Sequence, residues 1–242
     1  MSHRLKRKLT PKELREKLCD PRFLPTHEQV VRSFGSWEQW RNFCFNRDNP
    51  VFEFLNQEYL EAFAGYLVNR IDELGKNEKN PLTILELGAG NGKLSHFLRV
   101  KIEKKTPKKT VVIATEPGEW NLRNYFKLEK LDHLEALRKY SPDIVIFSWM
   151  PYKKDVTNDI RKFDSVKEYI LIGETDGGCC GDEGGTWGCG KNKNEQKPPY
   201  ASDGFQRKDL DNLSAMQICR TDEPGEYHHS KTVSFKRRQD LM

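Results

Sequence analysis

The segment Ile84-Leu85-Glu86-Leu87-Gly88-Ala89-Gly90-Asn91-Gly92-Lys93-Leu94 constrains the fold of this chain more than any other. An apolar run ends in glycines at alternating positions, and a helical pattern over residues 94–104 follows at once. Glycine accepts left-handed backbone and carries no Cβ, so such a turn reverses tightly and leaves room for a ligand against the main chain. Three loop types compete for it. The dinucleotide fingerprint G-x-G-x-x-G needs a third glycine where Lys93 stands. The phosphate loop G-x-x-x-x-G-K-[ST] needs glycine at Leu87 and a hydroxyl at Leu94. Both fail, which leaves acid-x-G-x-G-x-G, spelled by Glu86, Gly88, Gly90 and Gly92.

The pattern around this turn is that of an α/β chain. Strand-like runs at 83–87, 110–115, 143–148 and 168–173 alternate with helical stretches at 94–104, 134–140 and 155–163. Alternation of this kind builds a parallel sheet. A short strand is expected at 125–131 and a helix at 204–213. Two final strands, 216–221 and 231–236, have no helix between them and are expected to pair as a hairpin. The prediction is a Rossmann-like, seven-stranded, mostly parallel sheet with a final antiparallel strand. Residues 1–80 read as a basic tail and a helical extension, and residues 81–242 as the α/β domain. Within 27–74 the aromatic bulk (Phe34, Trp37, Trp40, Phe43, Phe54 and Phe63 among others) needs burial, because a large apolar side chain left in water forfeits roughly 1.5–3 kcal/mol.

Composition narrows the setting. Hydrophobic residues make up 36% of the chain and charged residues 32%, polar but with enough large side chains for a core. No apolar run reaches the length of a membrane span, and none near the start forms a secretory leader. The 6 cysteines are scattered apart from one glycine-rich loop at 177–190, so no disulfide framework is expected and the cytoplasm or nucleus is the expected compartment. The net charge of +5 is mild. Its basic clusters at 4–8, 101–109 and 236–238 read as solvated tails and loops, and no DNA binding is evident. Cys179, Cys180 and Cys189 with His228 and His229 raise the question of zinc, but their spacing fits no known ligand pattern and no metal is expected. The loop reads instead as a mobile substrate lid carrying Trp187.

The acid-x-G-x-G-x-G turn resembles motif I of the class I S-adenosylmethionine-dependent methyltransferases, and the resemblance covers residues 82–238. It implies an enzyme that moves a methyl group from S-adenosyl-L-methionine to an acceptor, which is a small molecule, a protein or RNA. The alternative is a non-catalytic Rossmann-like module that binds a partner through its helical N-terminus. The cofactor carries a sulfonium and an ammonium but no phosphate, which suits a carboxylate at Glu86 beside a glycine turn. Gly88, Gly90 and Gly92 are expected to cradle it. Glu116, at the tip of the second strand, is placed to accept from ribose hydroxyls. Asp132 fits either a contact to the adenine amino group or a helix N-cap. Residues 143–152 align with the family's motif IV, so Ser148 is expected beside the cofactor and Ser148 to Tyr152 beside the transferring methyl. The motif lacks the acid or amide of enzymes that methylate adenine or glutamine amino groups. Trp149 and Tyr152 offer aromatic faces for a cation or a planar acceptor. Tyr152 and Glu174 are the candidate catalytic residues. The N-terminal helices are expected to form one wall of the acceptor pocket.

Overall fold

The computed structural model describes residues 8–47, 50–118, 125–189, 197–222 and 229–238. Local chemistry starts the first four helices. Thr10 and Glu13 form a reciprocal capping box for α1 (Pro11–Leu18), and Thr26 with Gln29 does the same for α2 (His27–Val31). Ser36 caps α3 (Trp37–Cys44) and Asn56 caps α4 (Gln57–Glu73) through their side chains. The remaining elements are β1 (Leu82–Leu87), α5 (Lys93–Lys105), β2 (Thr110–Thr115), α6 (His133–Tyr140), β3 (Ile144–Ser148), α7 (Thr157–Arg161), β4 (Glu168–Glu174), α8 (Pro199–Ser202), β5 (Phe205–Asp209), α9 (Asp211–Ser214) and β6 (Ser230–Arg237).

The strands form one sheet in the order β2-β1-β3-β4-β6-β5. Strand β6 is antiparallel to both of its neighbours, and the pairs β1–β2, β1–β3 and β3–β4 are parallel. This is a Rossmann-like, mostly parallel sheet with its antiparallel strand, and it has six strands among the described residues where the sequence predicts seven.

Three local expectations change. Segment 125–131 is no strand: only Glu129 bridges to Thr115. Its apolar side chains serve α5 instead, Phe126 stacking on His96 at 4.2 Å between ring centroids and Leu128 lying against Gly92. Residues 205–209, expected within a helix, form β5. Phe205 is buried while Gln206 and Lys208 are exposed, the period of two that a strand requires, and the charged residues suit the open edge of a sheet. Segment 216–221 makes one bridge, Cys219 to Glu53, in place of a strand, and β6 pairs with β5 and β4.

Helices cover both faces. On one, α4 presents Leu60, Phe63, Ala64, Leu67 and Ile71 to α5 and to Ile84, Ile144 and Ile170 of the sheet. These positions repeat at helical spacing, so one stripe of α4 faces inward. On the other face, Ala136 and Leu137 of α6 and Ile160 of α7 pack with Leu85, Val145 and Leu171. A third cluster joins Val30, Trp40, Cys44 and Phe54 to Ile218. It is fastened by main-chain bonds from Phe54 N–H to the Ile218 carbonyl (2.8 Å) and from Arg220 N–H to the Phe52 carbonyl (3.0 Å). The Trp40 indole N–H also donates to the Arg220 carbonyl at 2.9 Å.

One buried polar knot ties α4 to the sheet. Glu168 is wholly buried and accepts from Arg70 Nε at 2.6 Å, from the Tyr66 hydroxyl and from Ser234 Oγ. Removing one partner of such a pair strands a buried charge. Glu168→Ala is therefore expected to lower unfolding stability by about 3–5 kcal/mol, read from the midpoint of urea unfolding. A midpoint equal to that of the parent protein would show that the knot contributes nothing.

Candidate active site

The connections out of β1 diverge, α5 returning along one face to β2 and α6 lying on the other face before β3. Ligand sites in open α/β sheets form at this switch point, outside the carboxyl ends of the strands. A cavity of about 1290 Å³ opens there. Ligand pockets typically measure about 300–1,000 Å³, so this cavity has room for more than one small molecule.

The glycine turn forms its floor. Gly88 and Gly90 are left-handed, with φ of 60° and 57°. A Cβ on Gly88 would stand 3.0 Å from the Phe147 ring. Gly88 and Gly90 line the cavity, whereas Gly92 does not: it is the N-cap of α5.

Carboxylates surround the turn. Glu86 is buried and accepts from Ser95 N–H at 3.0 Å. Burial first, and the charge of Glu116 to a smaller extent, push its pKa up to about 7. Glu116 accepts from Gly90 N–H at 3.0 Å and from Gly118 N–H at 3.3 Å. Asp132 lines the cavity and also closes a capping box with Glu135. A carboxylate has two oxygens, so one residue serves both purposes.

The opposite end of the cavity is built by β3 and the N-terminal segment. Ser148 is half-buried at the end of β3. Trp149 follows with φ of 59°, a conformation strained for a bulky side chain. Its N–H stays bonded to the Ile172 carbonyl at 2.7 Å, and its indole N–H donates to Glu53 at 3.0 Å. Residues 50–55 and parts of 18–25 complete the wall, so it is the connections beside the N-terminal helices, with Leu18 at the end of α1, that border the cavity rather than the helices themselves. Tyr152 lies at the rim, 63% exposed, with Lys153 over its ring.

Two expectations for this end change. Glu174 is not on the cavity wall. It accepts from Cys179 N–H at 3.0 Å and from the Thr221 hydroxyl. Burial alone would raise its pKa, but these hydrogen bonds prevail and hold it below the usual carboxylate value, as suits a carboxylate that fastens a loop. Trp187 is no lid residue: it is buried and donates to the Cys180 carbonyl at 2.6 Å, which packs the described part of its loop on the core. His228 lies outside the described residues, among which no cluster of three or more potential ligands is placed to hold a metal.

The sequence reading passes over Glu53, Lys93 and Arg220, all on the cavity wall. Glu53 is a single acid inside Val51-Phe52-Glu53-Phe54-Leu55, and a charge in so apolar a run is the signal that marks it. Lys93 donates to the Phe23 carbonyl at 3.0 Å, and burial lowers its pKa to about 8.

Burial raises the pKa of Glu53 to about 8, assisted by the charge of Asp222 and opposed by hydrogen bonds from Trp149 and Gln217. The folded protein therefore holds this proton at pH values where the unfolded chain, titrating near 4.5, has released it. Stability must fall as pH rises through that window. Between pH 5 and 8, Glu53→Gln is expected to show a shallower loss of stability than the parent protein, measured by thermal or urea unfolding across pH. Parallel pH profiles would refute the shift.

Several solved methyltransferase structures are similar to this fold at low sequence identity. A carbon methyltransferase, CurJ, is 11% identical with a TM-score of 0.46, over 95% of this chain and 67% of that one. The plantazolicin methyltransferase BpumL in complex with SAH is 11% identical with a TM-score of 0.38, over 94% and 98% of the two chains. The CMeT domain of the citrinin polyketide synthase is 12% identical with a TM-score of 0.39, over 72% of this chain and about half, 52%, of that one. No protein-family model matches the sequence, and no curated protein does. Among the described residues no helix is long and apolar enough to cross a membrane.

Proposed function

We propose that this chain is an S-adenosylmethionine-dependent methyltransferase. The observation that carries the reading is the meeting of Glu86 and Glu116 at a left-handed glycine turn that opens, with Asp132 also on the wall, into a cavity at the switch point of the sheet. A cationic ligand is favoured at such an end, and the bare backbone of Gly88 and Gly90 lets it lie close. In this reading Glu86 balances the positive charge of the cofactor, Glu116 accepts from its ribose hydroxyls, and Asp132 and Ser148 border its other end. Gly92 acts at one remove, by starting α5. Free cysteines, six of them, fit a reducing compartment, and we assign the protein to the cytoplasm or nucleus.

The bound cofactor supplies a methyl group on a positively charged sulfur. The protein supplies position: it holds the acceptor atom in line with the methyl group inside a walled cavity, and much of the rate in such displacements comes from that ordering. Tyr152 at the rim is assigned to acceptor contact, and Glu174 to holding the loop that places Cys179.

Calorimetric titration with S-adenosylmethionine tests the reading. Gly90→Arg, which forces a long side chain into the left-handed turn, is expected to abolish binding. Glu116→Ala is expected to cost about 1–3 kcal/mol of binding energy, the range for a hydrogen bond to a charged group. Parent-like affinity in the Gly90 variant would remove the basis of the assignment.

The pH dependence gives a second check. A cation beside Glu86 favours the carboxylate, so binding expels a proton held with a pKa of about 7. Affinity for S-adenosylmethionine is expected to rise from pH 6 to pH 8, and Glu86→Gln to remove most of that rise. A rise left intact in the variant would place the titrating group elsewhere.

A further inference from the structure

Arg220 differs from other buried and half-buried arginines. Arg70, Arg161 and Arg207 each hold a carboxylate, at 2.6 Å in every case. The Arg220 side chain, among the described residues, has no carboxylate or carbonyl partner. Its guanidinium lies over the rings of Phe52, Phe45 and Trp149, at 4.3, 4.8 and 5.5 Å from their centroids. Its Nε is buried without an acceptor, yet the residue lines the cavity. A half-buried cation beside ring faces, with one N–H buried and unpaired, favours an arriving anion.

Glu86 and Glu116 stand at the glycine turn, where Lys93 also lines the cavity, whereas Arg220 stands beside Trp149 at the end of β3. Glu53 also lines this end, where it accepts from the Trp149 indole rather than from Arg220. The guanidinium carries its N–H donors in a planar fork. That fork matches a planar carboxylate through two parallel hydrogen bonds. The adjoining walls, Val51, Phe52 and Trp149, are apolar and suit a flat unsaturated body.

We propose that Arg220 is the specificity residue for the acceptor, and that the acceptor is a small molecule carrying a carboxylate on a flat apolar body. The proposal rests on the reading that the acidic end takes the cofactor, and it names the substrate class of the other end. The carboxylate is the handle by which the acceptor is held, while the in-line arrangement beyond it decides which atom receives the methyl group.

The test uses the full-length protein and three simple probes: benzoate, phenyl phosphate and neutral benzamide. Each is titrated with and without S-adenosylhomocysteine, followed by tryptophan fluorescence and by thermal shift. Benzoate is expected to bind and benzamide not to. Arg220→Gln is expected to weaken benzoate at least tenfold while S-adenosylmethionine affinity stays within about twofold, which also shows that the variant is folded. Arg220→Lys, which keeps the charge and loses the fork, is expected to recover less than half of the lost binding energy. Equal benzoate affinity in the parent and Gln proteins overturns the proposal, as does benzamide binding as well as benzoate. Phenyl phosphate binding in preference to benzoate overturns the carboxylate assignment. Benzoate binding through Arg220 in a protein that ignores S-adenosylmethionine sinks the methyltransferase reading and leaves the anion site standing.

Discussion

The pairing of residues 52–54 with residues 218–220 is the constraint on which the site depends. Two main-chain hydrogen bonds and the Glu53–Cys219 bridge bring a segment from early in the chain against one close to its end. Without that pairing Phe54 has no place beside Trp40, Glu53 does not meet the Trp149 indole, and Arg220 is not enclosed by Phe45 and Phe52. The aromatic cluster of the N-terminal helices is thereby fixed over the open end of the sheet. A cavity that a bare Rossmann-like sheet would leave open to water gains a wall.

How much of this was legible in the sequence depends on how local each feature is. The glycine turn, the strands β1 to β4 and the capped helices follow from short-range patterns, and the structure has them where the spacing puts them. Strand β5 was hidden because Gln206-Arg207-Lys208-Asp209 carries no apolar alternation; its strand character comes from lying at the edge beside β6. Asp132 was left between two roles, and the structure shows a helix cap that also faces the cavity. Glu53 and Gln217 are separated by 164 positions and Arg220 meets Phe52 across a similar gap. No periodicity encodes such a meeting. Glu174 had the right address at the tip of a strand, but a strand tip does not say which way its carboxylate is engaged.

The polar groups of the cavity are arranged by what they have to share. Glu86 and Glu53 are both short of water, and both keep a proton more tightly than a solvated carboxylate. Glu86 is held by the Ser95 N–H in the first turn of α5, beneath the glycine turn. Glu53 is bonded by the Trp149 indole and Gln217, which orient it and hold a strained backbone in place. The same kind of side chain is thus anchored by a helix N-terminus at one end and by side-chain donors at the other.

Strand β6 is the last of the six in sequence, yet it lies inside the sheet, between β4 and β5. During synthesis on the ribosome, β1 to β4 and their helices emerge first and are able to assemble, but β4 then has a bare edge and β5 has no neighbour at all. Ser234, which completes the hydrogen bonding of buried Glu168, also arrives on β6. The sheet therefore keeps an open edge at β4 until β6 has been made, and one insertion then closes the core. A nascent chain of this topology has to keep the edge of β4 from pairing with other chains until β6 is available to cover it.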